Sequence, residues 1–287
     1  MKPLIAVLLA TYNGSKYIEE QLFSILNQKN TRLTIYISDD CSSDNTLEII
    51  KKIQLQHKNI VILPKIKAGG AAKNFYRLIK DVYIENFQYI ALADQDDIWN
   101  EDKLSNAVLQ LRDYKCNGYS SNVTAFWESG KRKLIQKADP QTLYDFIYES
   151  PGPGCTFVTK KESFQSFKKF LESNWQQISE IEYHDWLIYA YYRSRNLNWH
   201  IDSNSSMMYR QHENNKIGSN SGFTAIKKRI SLISSGWYQN EIRKIVIILG
   251  LNDNIGTRLF TIKNLKHTRR KRIDRIILGI MALFNKF

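Results

Sequence analysis

Five apolar residues, Tyr89-Ile90-Ala91-Leu92-Ala93, run straight into Asp94-Gln95-Asp96-Asp97, and Ile98-Trp99 follows. A strand without polar alternation is covered on both faces. This run therefore reads as a buried strand whose end carries three carboxylates in four residues. Like charges this close raise one another's pKa unless something positive sits among them. A hard divalent cation with oxygen ligands would do that, and phosphates commonly complete its shell. Open α/β sheets hold their ligands at the carboxyl ends of their strands. The stretch points to a metal-diphosphate site, and the competing reading is a solvated acidic turn ahead of a helix near Glu101.

The surrounding pattern fits such a sheet. Residues 4–10 form another unbroken apolar run, and residues 33–38 and 61–63 read as further strands. Ser15 is placed to cap a helix ending near Gln28, with Ile18, Leu22, Ile25 and Leu26 on one face. Asp44 is placed to cap a second, and Gly69-Gly70 turns into a third carrying Phe75, Leu78, Ile79 and Val82. Residues 103–114 make a fourth. This alternation predicts an α/β fold with a mainly parallel sheet flanked by helices. After residue 115 the pattern loosens into strands at 119–126, 155–159, 199–201 and 206–210 and helices at 142–149 and 181–193, with a breaker at Pro151-Gly152-Pro153-Gly154.

The 287 residues suffice for one large domain with an appendage. Thr11-Tyr12-Asn13 is no small-residue cleavage site, so the first apolar run reads as a strand rather than a signal peptide. No apolar stretch approaches the roughly 20 residues needed to span a bilayer. Cys41, Cys116 and Cys155 fit neither a zinc spacing nor a disulfide framework, which favours a reducing compartment. Charge is placed unevenly. Residues 223–287 hold 14 Lys+Arg against 3 Asp+Glu, a net of +11, whereas residues 1–222 carry a net of +2. The chain divides accordingly into a core domain, residues 1–220, and a basic amphipathic helical region, residues 221–287.

Three polar loops fall at one edge of the sheet: Thr11-Tyr12-Asn13-Gly14, Asp39-Asp40-Cys41-Ser42-Ser43-Asp44 and Asp94-Gln95-Asp96-Asp97. No glycine-rich phosphate loop follows the first strand, which argues against a dinucleotide-dependent dehydrogenase or a P-loop kinase. Further along stand Gly152-Pro153-Gly154-Cys155-Thr156, His184-Asp185-Trp186 and Tyr209-Arg210-Gln211-His212-Glu213-Asn214-Asn215. On residues alone, Asp185 reads either as a general base or as a helix cap. His212 reads either as an ordinary histidine or as a metal or phosphate contact.

Taken in this order, the motifs resemble glycosyltransferase family 2, with its GT-A fold, over residues 3–218. The Asp-Gln-Asp-Asp-Ile-Trp and Tyr-Arg-Gln-His forms are most similar to bacterial rhamnosyltransferase-type members. The resemblance implies an inverting, metal-dependent transfer of a sugar from a nucleotide-diphosphate donor, first of all dTDP-rhamnose, to a polysaccharide or lipid-linked glycan. It implies that Asp39 contacts the base and that Thr11, Tyr12 and Asn13 form the first nucleotide loop. Lys73 would lie near the base and Arg210 near the diphosphate. Asp94 and Asp96, with His212, would hold Mg²⁺ or Mn²⁺. Asp185 would be the catalytic base, with His184 and Trp186 on the acceptor side.

The basic residues 223–287 suit an anionic membrane surface, through clusters such as Lys227-Lys228-Arg229 and Arg269-Arg270-Lys271-Arg272. A helical bundle packed on the core is the alternative. No nucleic-acid module is recognised, so no nucleic-acid partner is expected. The expected location is cytoplasmic, peripheral at the inner face of the plasma membrane. Rival readings are a catalytically silent adaptor with a nucleotide-sugar fold, and a sugar nucleotidyltransferase. The intact carboxylates count against the first and the missing glycine-rich loop against the second.

Overall fold

Strand β1 (Leu4–Thr11) is fully covered from Ile5 to Leu9, as its unbroken apolar run requires. The structure, a computed structural model, describes residues 1–212 and 236–284. Strands β2 (Arg32–Asp39) and β4 (Tyr89–Ala93) pair with β1 in parallel, and β3 (Ile60–Ile62) pairs in parallel with β2. Helices α1 (Ile18–Leu26), α2 (Thr46–Gln56) and α3 (Ala71–Asp81) make the crossovers. This half is the parallel sheet that the alternation predicts.

Beyond β4 the sheet becomes mixed. Strand β8 (Val158–Lys160) is antiparallel to β4 and to β6 (Gly118–Phe126). Strand β9 (Trp199–Arg210) runs parallel to β6, and β5 (Ile98–Trp99) lies antiparallel on β9. A hairpin strand, β7 (Arg132–Ile135), pairs with β6. The resulting order is β3-β2-β1-β4-β8-β6-β9-β5. Strand β9 is one strand where the sequence predicts two. Its polar middle pairs through side chains instead: Asn122 Nδ2 donates to the Ser203 carbonyl at 2.7 Å and Thr124 Oγ1 to Ser205 Oγ at 2.8 Å, across two register shifts.

Two caps also differ from expectation. Helix α1 begins at Ile18, and the Ser15 N–H donates to Asp44 Oδ2 at 3.0 Å. Asp44 does not hold the cap position of α2 either, which is Asn45, but its Oδ1 accepts the Thr46 N–H at 3.1 Å.

Helices α4 (Lys103–Asp113), α5 (Asp145–Tyr148), α6 (Lys161–Ser173), α7 (Trp175–Ile178) and α8 (His184–Ser194) are the remaining α-helices of residues 1–212. Helix α6 is absent from the predicted elements, although Phe164, Phe167 and Leu171 give it a buried stripe. One core, including Leu22, Ile50 and Leu104, packs α1, α2 and α4 on one face of the sheet. The other face carries α3, α6 and α8, with Phe75, Phe164 and Leu187 in its core.

The C-terminal helices are α9 (Trp237–Ile248), α10 (Arg258–Lys263) and α11 (Arg272–Leu283). The boundary expected near residue 220 and the cluster Lys227-Lys228-Arg229 lie outside the described residues. Ile242, Ile245, Leu278 and Ala282 of α9 and α11 join the core of α3, α6 and α8. The second basic cluster needs correction. Arg270 Nη1 donates to Asp145 Oδ2 at 3.0 Å, and Asp145 is itself fully buried. Arg269 Nη1 donates to the Tyr148 carbonyl at 3.1 Å and the Tyr238 hydroxyl at 2.8 Å. These two guanidiniums serve the protein interior, because buried carboxylates need a paired cation. Among the described residues no helix is long and apolar enough to cross a membrane.

Candidate active site

The parallel register sets the ends of β1, β2 and β4 side by side: Thr11 lies opposite Asp39, and Leu9 opposite Ala93. The three polar loops therefore meet at one edge, as expected. They are also bonded to one another. Gln95, given no role in the sequence reading, accepts from Thr11 Oγ1 at 2.7 Å and the Tyr12 N–H at 2.8 Å, and donates to the Tyr12 carbonyl at 3.0 Å. The Asn13 N–H donates to Ser42 Oγ at 2.8 Å, and Asn13 Oδ1 accepts the Ser43 N–H at 2.8 Å. Asn13 adopts a φ of 48°, in the left-handed region that asparagine tolerates better than most.

Asp39 is buried and accepts both the N–H of Ser42, at 2.8 Å, and its hydroxyl. Asp40 accepts the N–H groups of Gly69 and Gly70 at 3.0 and 2.8 Å, which pins the turn into α3. Lys73 is exposed on α3, beside a cavity of about 290 Å³ that it lines with Lys67, Tyr76 and Trp175. Thr11 is buried, while Tyr12 is exposed at the cleft edge.

The acidic loop is closed by the end of β9. Asp96 Oδ2 lies 2.7 Å from His212 Nε2, and the His212 ring stacks on Tyr17 at 5.3 Å. Arg210 Nε donates to the Asp96 carbonyl at 2.8 Å, and its N–H to Asp97 Oδ1 at 3.2 Å. Its guanidinium lies between the rings of Tyr17 and Phe126, at 4.5 and 4.6 Å, and pairs with Glu20. Tyr17 is thus a contact that the motifs did not reveal. Burial and the Asp96 charge push the Asp94 carboxyl up to about 7, and burial pushes Asp97 well above the ordinary range. Beneath the loop Lys103 is buried. Its ammonium donates to the Cys155 carbonyl at 2.8 Å and lies 3.4 Å over the Trp99 ring, and burial lowers its pKa to about 7.

A divalent cation fits this loop. Asp96 Oδ2, on the loop that also carries Asp94, lies 2.7 Å from His212 Nε2, and oxygen with imidazole donors suits Mn²⁺, the oxygens also Mg²⁺. The fully buried Asp97 Oδ2 finds no N–H or O–H partner among the described residues, so the loop retains acceptor capacity. Asp94, Asp97 and Cys155 also offer ligand atoms within 4.8 Å of one another. Burial drives the Cys155 thiol well above its usual range, however, and a protonated thiol is a poor ligand for a hard cation.

Asp185 lies in the first turn of α8, buried, with its Oδ1 accepting the Trp186 N–H at 2.8 Å. The helix cap is Tyr183, so Asp185 does not hold the cap position. Burial pushes its carboxyl up to about 6, against the opposing pull of the Trp186 N–H, the Ser150 side chain and the Lys137 charge. His184 stacks on Phe75 at 4.0 Å. A Cβ at Gly154 would lie 2.5 Å from His184 Nε2, which explains the glycine in that motif. Trp186 is brought elsewhere. Its ring is buried against Tyr238, and its Nε1 donates to the Phe146 carbonyl at 3.0 Å, so it supports the α8 core instead of lining a cleft.

Such a sheet, with carboxylate loops at its carboxyl edge and a buried aspartate beside the Gly154 turn, is that of a nucleotide-sugar-dependent glycosyltransferase of the GT-A fold. A family profile described as Glycosyl transferase family 2 matches residues 6–225. The chain belongs to that family and is a glycosyltransferase. It is 46% identical over 289 residues to the dTDP-rhamnosyl transferase RfbG of Shigella flexneri, covering 97% of this chain and 100% of that one. It is 33% identical over 105 residues, 37% of this chain and 40% of the other, to an Escherichia coli UDP-Glc:alpha-D-GlcNAc-diphosphoundecaprenol beta-1,3-glucosyltransferase, WfaP. In fold it is similar to S. aureus TarS 1–349 in complex with UDP-GlcNAc, with a TM-score of 0.61 at 19% identity, over all of this chain and 80% of that one.

Proposed function

We propose that this enzyme moves rhamnose from dTDP-rhamnose, with inversion, onto a growing polysaccharide or a lipid-linked oligosaccharide. The 46% identity to a dTDP-rhamnosyl transferase along the whole chain supports the donor. One observation supports the mechanism: the turn at Gly154-Cys155 links Asp185 to the acidic loop, since a Cβ at Gly154 would lie 3.3 Å from Asp185 Cβ and the Cys155 sulfur lies within 4.8 Å of carboxylate oxygens of Asp94 and Asp97.

The residues then divide the work. Thr11, Tyr12 and Asn13, braced by Gln95 and Ser42, border the nucleotide together with Asp39 and Lys73. Asp94, Asp96 and His212 would hold Mg²⁺ or Mn²⁺ and Arg210 flank the diphosphate. A divalent cation there would offset the charge that develops on the departing diphosphate. Asp185 accepts the proton of the acceptor hydroxyl as that oxygen attacks the anomeric carbon and the bond to the diphosphate breaks. No carboxylic acid is needed for the leaving group, so one isolated base suffices. The net charge of +11 on residues 223–287 supports a peripheral position at the cytoplasmic face of an anionic membrane, where a lipid-linked acceptor would be met.

Transfer assays on Asp185→Asn test this reading. Loss of a positioned base typically costs about 10²–10⁴-fold in rate, and turnover is expected to fall by that much. Near-normal turnover would place the base elsewhere.

A further inference from the structure

The hairpin formed by α10 and α11 leaves an apolar stripe in solvent. Ile273, Ile276, Ile280 and Leu283 follow at spacings of three and four, so they share one face of α11, and Phe284 continues it. Their exposures run from 46% at Ile276 to 74% at Phe284, and Leu259 of α10 is 70% exposed. Single exposed apolar residues are ordinary on a protein surface, but a continuous stripe marks an interaction site. The hairpin is held firmly from behind. Leu278 and Ala282 are buried, and Arg258 Nη2 donates to the Leu283 carbonyl at 3.0 Å. Arg275 Nη1 reaches the Lys266 carbonyl at 2.9 Å, and a Cβ at Gly279 would lie 2.6 Å from Leu265.

We propose that this face of α11 lies in the headgroup layer of an anionic bilayer, with its five large apolar side chains among the acyl chains and its cations at the phosphates. Charge selects this occupant. Residues 258–284 contain eight Lys+Arg and one acid, Asp274. Asp274 is buried beside Arg269, so no carboxylate of the hairpin faces outward. Arg272 at the start of the stripe and Lys263 and Lys266 on the adjoining turns are exposed. A second copy of the chain would set these cations against one another, whereas anionic lipid matches both the apolar stripe and its basic border. The location also suits the reaction. Arg270 at the inner end of the hairpin donates to the Ser150 carbonyl at 2.7 Å, and Ser150 is near enough to Asp185 to draw its carboxyl pKa down.

This inference rests on the reading that the acceptor is met at a membrane, and it names the surface responsible. It is tested by co-sedimentation of the full chain with vesicles of phosphatidylglycerol and phosphatidylcholine, against vesicles of phosphatidylcholine alone. The wild type is expected to bind the anionic vesicles preferentially. The triple variant Ile276→Ser, Ile280→Ser, Leu283→Ser should bind at least tenfold more weakly, with an unchanged melting temperature and unchanged nucleotide affinity. Leu55→Ser, at an exposed leucine of α2, should bind as the wild type does. Equal binding by the triple variant would overturn the hairpin assignment while leaving the membrane reading intact. A wild type that binds neither vesicle would overturn both. A dimer in sedimentation velocity that the triple variant abolishes would overturn the lipid assignment in favour of a protein interface.

Discussion

Asp185 gives the account its clearest titration. Its carboxyl is pushed by burial from an ordinary 3.8 to about 6, and as the proposed base it must be ionised, so transfer should rise as pH climbs through about 6. For stability the sign is the opposite. A raised pKa means that the native state holds the proton more tightly than the unfolded chain does. The stabilisation is full below about 3.8 and is lost as pH rises through about 6, a contribution of about 3 kcal/mol. Asp94, raised to about 7, acts in the same direction. Thermal melts without divalent cations should show Asp185→Asn flattening the decline between about pH 4 and 6, and an unaltered profile would contradict the burial argument. Gly154 gives a second test. An added methyl would meet His184, whose ring is stacked on Phe75, and would lie 3.3 Å from Asp185 Cβ. Gly154→Ala should therefore reduce turnover at least tenfold while leaving donor affinity, read by calorimetry, within about twofold.

At the scale of elements, the carboxyl edge of β1, β2 and β4 was legible because unbroken apolar runs and acidic loops are local signals. What closes the site over that edge was not. Tyr17 stacks on His212, and Arg210 reaches Asp96 and Glu20, only because β9 returns alongside β6 and β5. Nothing in the spacing of those residues announces the return. The polar middle of β9 hid its continuity, since side-chain bonds from Asn122 and Thr124 replace the apolar alternation by which a strand is recognised. Trp186 was read from its motif neighbours as acceptor-facing, yet its helical position turns it to Tyr238. Helix α5 supplies a further test. Its Asp145 is fully buried between Arg193 and Arg270, with a bond from the Tyr189 hydroxyl at 2.7 Å. Removing one partner of a buried ion pair typically costs about 3–5 kcal/mol. Arg270→Ala should lower the unfolding free energy by that order in a urea titration, and a loss below about 1 kcal/mol would show that Arg193 alone satisfies the carboxylate.

At the scale of the whole molecule, the charge asymmetry was visible in the sequence but its use was only half legible. The partner of Arg270 lies 125 residues away in the chain, so a basic run that reads as a surface patch proves to be partly an internal clamp. The exposed apolar stripe of α11 depends on which face the core claims, and only the packing of Leu278 and Ala282 decides that. The central claim is one cleft with two walls, a donor wall at Asp96 and an acceptor wall at Asp185. Calorimetric titration of dTDP-rhamnose into the wild type, Asp96→Asn and Asp185→Asn, each with and without Mg²⁺, separates the walls most directly. The account predicts Mg²⁺-dependent binding of similar affinity for the wild type and Asp185→Asn, and its loss in Asp96→Asn. Unchanged Mg²⁺-dependent affinity in Asp96→Asn, or loss of donor binding in Asp185→Asn, would contradict it.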